Sequence, residues 1–330
     1  MRNAGKTVEM LIDNIASRAL AAHKAAIICH INPDGDTLGS GLALCRILRC
    51  AGIDADVYCD DKPGAKLCYL DGASCIINAP TQQRYDLAIA VDCHDEARMG
   101  TMSTVFLRAG DRIIIDHHPY SGNIPYLHLI VTQAAATAQI MYKVIKAICS
   151  KSSASMDSIT AKLLYSALVT DSGAFSFSSV SEDTMLTAAE LLNYDIRADK
   201  IIEHFIKTVT PQVFALRCRV LSRSKFFEEG KIALINITAT DFEETCTTSS
   251  DTDGVINNIL NVEGVAIAVS IVEVGDKSYK ISLRTDGSVS ANYIASIFGG
   301  GGHERAAGCR ISGYYEDVKD KVLKACRDSL

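Results

Sequence analysis

The sequence predicts an α/β protein: a parallel sheet with helices on both faces, then a linker and a smaller α+β domain. Three observations carry this. Between residues 25 and 120, short β-rich apolar runs alternate with helical patterns, as strand–helix–strand units of a parallel sheet do. Beyond about residue 225, strand-like runs instead follow one another closely. The chain has 330 residues, which suits two domains.

The elements follow in order. Val8, Leu11, Ile12 and Ile15 share one helical face, while Glu9 and Asp13 interrupt any signal-peptide core. AAIICH, ADVYC, DLAIAVD and RIIIDHH read as strands. LGSGLALCRILRCAG reads as a helix beginning near Leu38 and closed by Gly52. Residues 134–149 and 157–170 read as two more helices, and 183–207 as further helix, so the first domain is expected over 1–195. Pro211 and the basic RCRVLSRSK mark a connector, which gives a linker over 196–215 and a second domain over 216–330. In it KIALINI, VAIAVSIVEV and KISLR read as strands, followed by a helix at 289–298, a glycine run at 299–302 and a last helix at 315–328.

Composition narrows the function. With 48% hydrophobic and 22% charged residues the chain is neither fibrous nor wholly disordered. Its net charge of -6 argues against coating long nucleic acid by bulk charge. Twelve cysteines lie scattered with no C-x-x-C pair, so they read as buried thiols of a cytoplasmic protein. No uncharged apolar run reaches the roughly 18 residues of a membrane span.

The acidic residues fall at informative places. The first apolar run ends at His30, with Asp34 and Asp36 in the loop that follows. A later run ends at Asp92, and another at Asp116, His117 and His118. In open parallel sheets, ligands sit beyond the carboxyl ends of strands. Asp171 closes a helix, where the macrodipole disfavours a carboxylate unless a cation compensates it. Taken singly, each has a plain structural reading as turn, cap or polar strand end. Together, four segments spend acidic or imidazole groups at one edge, and like charges crowded there call for a cation. Two divalent ions would neutralise Asp34, Asp36, Asp92 and Asp171 and acidify a bound water.

NPDGD, VDCHD, DHHP and TDSG, in this order, resemble the four motifs of the DHH phosphoesterase superfamily. FGGGGHERAAGC (298–309), with SLR at 282–284, resembles the glycine-rich signature of its DHH-associated substrate-binding domain. The resemblance implies that His30 and Asp34 hold one metal, that Asp36, His117 and Asp171 hold another, and that Asp92 bridges them. His118 would stand beside the scissile phosphate, and Asp116 would orient a histidine. Two imidazoles among oxygen ligands favour Mn²⁺, with Mg²⁺ the alternative. Arg284 offers a fork for phosphate, Gly300, Gly301 and Gly302 let backbone amides approach an anion, and His303 adds a hydrogen bond. The plain reading of that run is a tight turn with an exposed histidine. Arg98 is expected near the site's edge, although an ion pair with Asp95 or Glu96 is the ordinary reading. Two departures stand out: Ala174 where many relatives have arginine, and Ala135 and Ala136 where many have serines. Both are expected to bear on substrate rather than on metal.

Within the superfamily the chain is similar to the soluble two-domain nanoRNases. The implied substrates are short oligoribonucleotides and 3'-phosphoadenosine 5'-phosphate, gripped in a cleft between domains. Cyclic di-AMP or pApA hydrolysis is the alternative, ahead of a RecJ-like single-strand exonuclease or a catalytically dead nucleotide-binding protein. Dimerisation is common in this group, and a homodimer is the expectation carried over.

Overall fold

Helix α1 (Arg2–Ala21) opens the first unit of the computed structural model, which describes residues 2–330 apart from Ser121 and Asp253. Five strands follow: β1 (Lys24–Ile28), β2 (Asp54–Tyr58), β3 (Leu87–Val91), β4 (Asp111–Asp116) and β5 (Leu127–Ile130). They pair in the order β2-β1-β3-β4-β5, every pair parallel. Helix α2 (Gly35–Cys50) joins β1 to β2, and α3 (Ser103–Arg108) lies between β3 and β4. After β5 come α4 (Thr137–Lys151), α5 (Ser158–Asp171), α6 (Glu182–Leu192) and α7 (Ala198–Ile202).

Both faces of this sheet are buried, which is why its strands read as unbroken apolar runs. Ala25, Ile27, Leu87, Ile89, Ile113 and Ile115 enter a core with residues of α1, α2, α4 and α5. Their strand neighbours Ala26, Ile28, Ala88, Ala90 and Ile114 turn to the other face against Val105 and Phe106 of α3. Strand β5 was not expected: this edge strand is only four residues long, is interrupted by His128 and buries only Leu129 fully. Helix α2 starts at Gly35 rather than near Leu38. Asp34 is its N-cap, accepting the amides of Asp36 and Thr37 at 3.0 Å each, and this draws Asp36 into the first turn.

The chain divides after Thr208, with the second unit beginning at Val209. The segment 196–215, expected as a linker, is mostly helical. Helix α7 and a π-helical turn at Glu203–Lys207 bury Ile201 and Phe205 in the first core, so they belong to the first unit. Pro211 starts α8 (Pro211–Leu221), capped by Thr210, because proline suits a first helical position.

The second unit adds β6 (Lys225–Phe227), β7 (Ile232–Ile237), α9 (Ala239–Thr245), α10 (Val255–Leu260), β8 (Ile267–Gly275) and β9 (Ser278–Thr285). Then follow α11 (Ala291–Ser296), β10 (Gly301–His303), β11 (Ala306–Ser312) and α12 (Tyr315–Arg327). The sheet order is β10-β11-β9-β8-β7-β6, with β7 and β8 parallel and the other pairs antiparallel. One face packs on α11 and α12, and the other on α8 and α10. The basic RCRVLSRSK stretch serves the fold: Arg219 and Arg223 each reach the fully buried Asp241 at 2.6 Å. Asp241 also closes the capping box of α9.

The β10–β11 hairpin was hidden, since glycines carry no apolar alternation. Gly300 is required there by close approach. A Cβ at that position would lie 2.2 Å from the carbonyl oxygen of Gly308. The amides of Gly299 and Gly300 bond to Ser296 and Ala295 carbonyls and so end α11, and are not offered to an anion.

Candidate metal centre

The strand order places β1 beside β3 with β2 outside, so the direction of winding reverses between them and a crevice opens at their carboxyl ends. His30 leaves β1 there, and Asp92 leaves β3. Asp116 ends β4, with His117 and His118 behind it. Asp171 ends α5, and α5 comes close because α2 begins with glycine: a Cβ on Gly35 would sit 2.4 Å from Thr170 Oγ1. Asp92 adopts a left-handed backbone, φ +63°, which an L-residue holds only when its surroundings enforce it.

These groups form three overlapping clusters, each with ligand atoms close enough to hold one ion: His30, Asp34 and Asp92; Asp36, His117 and Asp171; and Asp92, His117 and His118, which joins the first two through Asp92 and His117. Asp92 turns Oδ2 to His30 Nε2 at 3.3 Å and Oδ1 to His117 Nε2 at 3.6 Å. Asp171 Oδ2 stands 3.2 Å from His117 Nε2, and Asp34 Oδ2 is 3.7 Å from His30 Nε2.

The imidazoles suit a cation. His30 Nδ1 faces the Ile31 carbonyl at 2.7 Å and His117 Nδ1 faces that of Ala134 at 3.1 Å. A carbonyl only accepts, so each Nδ1 carries hydrogen and each neutral ring turns its Nε2 lone pair toward carboxylate oxygens. Both Nε2 atoms are buried without a hydrogen-bond partner. Acceptors that converge in this way need a proton or a metal between them.

The acid–base balance records the same conflict. Burial opposes a proton on His30, yet Asp34 and Asp92 outweigh it and push its pKa up to about 10. Burial, with the charges of Asp92, Asp171 and Asp34, holds Asp36 well above the carboxylate range. Asp171 is pushed up to about 7, chiefly by burial; His117 opposes the shift, and Asp92 and Asp34 add to it. Burial opposes a charge on Asp34, but the nearby His30 ring and the amides of Thr37 and Asp36 outweigh it and hold Asp34 below its ordinary value.

Two further layers support these groups. Asp36 is a helix cap in disguise, accepting the amides of Thr137 at 2.6 Å and Ala138 at 2.9 Å, with Ser40 Oγ at 3.1 Å. It therefore caps α4, whose own N-cap Ala136 has no side-chain acceptor. Thr137 Oγ1 donates to Asp92 Oδ1 at 2.8 Å. Asp116 is fully buried and binds His118 Nδ1 through Oδ1 at 2.8 Å and His94 Nδ1 through Oδ2 at 2.5 Å. Burial raises the Asp116 pKa, but these partners, His118 above all, bring it down to about 2. Sequence reading missed Ser40, His94 and the Thr137 hydroxyl. Two of them carried a signal: His94 lies within VDCHD, and Thr137 follows Ala135 and Ala136. Those two alanines are buried. Ala174 is half-buried in a left-handed turn, φ +53°. The Arg98 charge bears on His118, and its carbonyl accepts the Ile31 amide at 2.7 Å.

Arg284 and His303 lie in the second unit. Arg284 on β9 is opposite Ala306 on β11, and Ala306 is opposite His303 on β10, so the two occupy one cross-strand row. Gly301 and Gly302 are exposed strand residues of β10, and Gly300 is half-buried.

An open α/β sheet whose strand ends gather carboxylates and imidazoles in overlapping clusters defines a metal-binding hydrolase-type centre. The DHH family N-terminal domain matches residues 24–168, and the DHHA1 domain matches residues 235–330. The chain belongs to the DHH phosphoesterase superfamily, in its two-domain DHH and DHHA1 arrangement. It is 28% identical to the bifunctional oligoribonuclease and PAP phosphatase NrnA of Thermus thermophilus, over 92% of this chain and 89% of that protein. To the protein of the same name from Bacillus subtilis it is 26% identical, over 89% of this chain and 90% of the relative. The crystal structure of an exopolyphosphatase-related protein from Bacteroides fragilis superposes with a TM-score of 0.89 at 25% identity, covering 97% of this chain and 96% of the other. Among the described residues no helix is long and apolar enough to cross a membrane.

Proposed function

We propose that this protein is a phosphoesterase that hydrolyses short oligoribonucleotides and 3'-phosphoadenosine 5'-phosphate with two divalent metal ions. The shared carboxylate of Asp92, set between two buried and orphaned imidazole nitrogens, carries this reading. Its extent is supported by relatives named for that activity that align over nearly their whole length.

His30, Asp34 and Asp92 would hold one ion, and Asp36, His117, Asp171 and Asp92 the other. Two histidines in the set favour Mn²⁺ over Mg²⁺. When bound, the pair supplies Lewis acidity for a water nucleophile and for the phosphoryl oxygens. The remaining work belongs to side chains. The backbone bonds at His30 and His117 fix the tautomers that present Nε2. Asp116 orients His118 through Nδ1, so Nε2 is the atom that meets the phosphoryl group or the leaving oxygen. Arg284 and His303 supply phosphate contacts in the second unit. Twelve cysteines with free thiols suit a reducing cytoplasm, and a homodimer is the assembly that sedimentation would measure.

The test presents purified protein and Mn²⁺ with RNA of two to five residues, 3'-phosphoadenosine 5'-phosphate, cyclic di-AMP, pApA and pyrophosphate. Turnover of the first two classes is expected. Turnover confined to cyclic di-AMP or pyrophosphate would overturn the substrate assignment.

A further inference from the structure

The second unit has a sheet face that this function does not use up. Along β9, Tyr279, Ile281 and Leu283 enter the core with α11 and α12, so Lys280, Ser282 and Arg284 take the opposite face. Along β11, Ala307 and Cys309 enter that core, and Gly308 and Arg310 share the face with Lys280. Helices α8 and α10 cover this face over β7 and β8, yet Lys280 and Arg310 remain exposed.

Strand pairing sets these residues in rows. Arg284 and His303 share one row, and Arg310 stands directly opposite Lys280 in another. Between them Gly301, Gly308, Ser282 and Ser270 form a row with no side chain larger than serine. The outer rows are four residues apart along β9, about 14 Å at a rise of about 3.4 Å per residue.

Charge points to the occupant. Strands β9 and β11 hold three basic residues and no acidic one, in a chain of net charge -6. Like charges directly opposite on neighbouring strands destabilise a sheet. Among the described residues neither Lys280 nor Arg310 has an ion-pair partner. An exposed cation pair kept at that cost fits an anion outside the chain.

We infer that Lys280 and Arg310 form a second phosphate subsite, taking a backbone phosphate of a short oligoribonucleotide whose other phosphate lies at the Arg284 and His303 row. The inference rests on the proposed function. Phosphates on either side of one ribose lie too close together to engage both rows, so the subsite acts on oligomers and not on a nucleoside bisphosphate.

The experiment compares full-length protein with K280Q/R310Q. Steady-state kinetics with Mn²⁺ use an RNA 5-mer and 3'-phosphoadenosine 5'-phosphate, and anisotropy of a labelled 5-mer reads binding without turnover. The double variant is expected to raise KM and Kd for the 5-mer about tenfold, with KM for the bisphosphate unchanged within about twofold. The slope of log affinity against log salt should fall by about 0.7, the value for one phosphate that the variant no longer neutralises. K280R/R310K, which keeps both charges, should bind the 5-mer as the parent does. Equal losses on both substrates, unchanged 5-mer binding in K280Q/R310Q, or no 5-mer binding by the parent would overturn the subsite. A parent that binds the 5-mer through these residues but hydrolyses neither substrate would leave the subsite standing and overturn the proposed reaction.

Discussion

Replacing Thr137 by valine isolates one hydroxyl of the metal centre. Thr137 and Asp92 are both buried, and Oγ1 donates to Asp92 Oδ1 at 2.8 Å. Valine has nearly the same shape, so no cavity opens. The amide of residue 137 still reaches Asp36, and the helix cap survives. A hydrogen bond to a charged group contributes about 1.5–3 kcal/mol. At about 1.4 kcal/mol per factor of ten, that corresponds to roughly 10- to 100-fold in affinity, the usual cost of losing a group that orients a metal ligand. Free Mn²⁺ measured by electron paramagnetic resonance during titration should therefore show T137V binding manganese roughly 10- to 100-fold more weakly. T137S keeps the donor and should bind close to the parent. Unchanged affinity in T137V, or an equal loss in T137S, would refute the claim that the hydroxyl sets the shared carboxylate.

The other predictions concern charge and capping. Asp92→Ala should abolish hydrolysis with Mn²⁺ while far-ultraviolet circular dichroism stays unchanged, and retained activity in metal-verified protein would contradict the bridging role. Without metal, stability should fall as pH rises. Asp171, raised to about 7, favours the folded state most when protonated and loses that advantage between about pH 4 and 7. His30, raised to about 10, contributes below about pH 6.5 and loses its contribution as pH climbs through 10. Urea midpoints in EDTA from pH 5 to 9 should decline and Mn²⁺ should flatten them; a flat metal-free profile would contradict the crowded-carboxylate account. Asp157 caps α5, accepting the Thr160 amide at 2.9 Å, and pairs with Arg46. Asp157→Ala should lower stability by about 1–2 kcal/mol in urea unfolding.

Much of the site was legible because its chemistry sits where strands stop. The residues His30, Asp92 and His117 end apolar runs, and a run's end is readable without knowing its neighbours. The charge at the end of α5 was readable for the same reason. Asp34 and Asp36 were seen as acidic loop residues, but their different tasks were not visible. One caps the helix it precedes, and the other reaches about a hundred positions along the chain to cap α4. His94 stands within the VDCHD motif, but its role was not visible, since its bond to Asp116 exists only once β3 and β4 are side by side.

Local pattern alone thus determined the α/β class, most strands of the first sheet and the identity of the groups at its edge. Hydrophobic period and residue chemistry are properties of adjacent positions. The packed chain decided the extent of the first unit, the hairpin of glycines and the division of Asp92 between two imidazoles. It also decided the cation row on the second sheet, because facing across strands depends on register, and register is settled by the whole core rather than by any one segment.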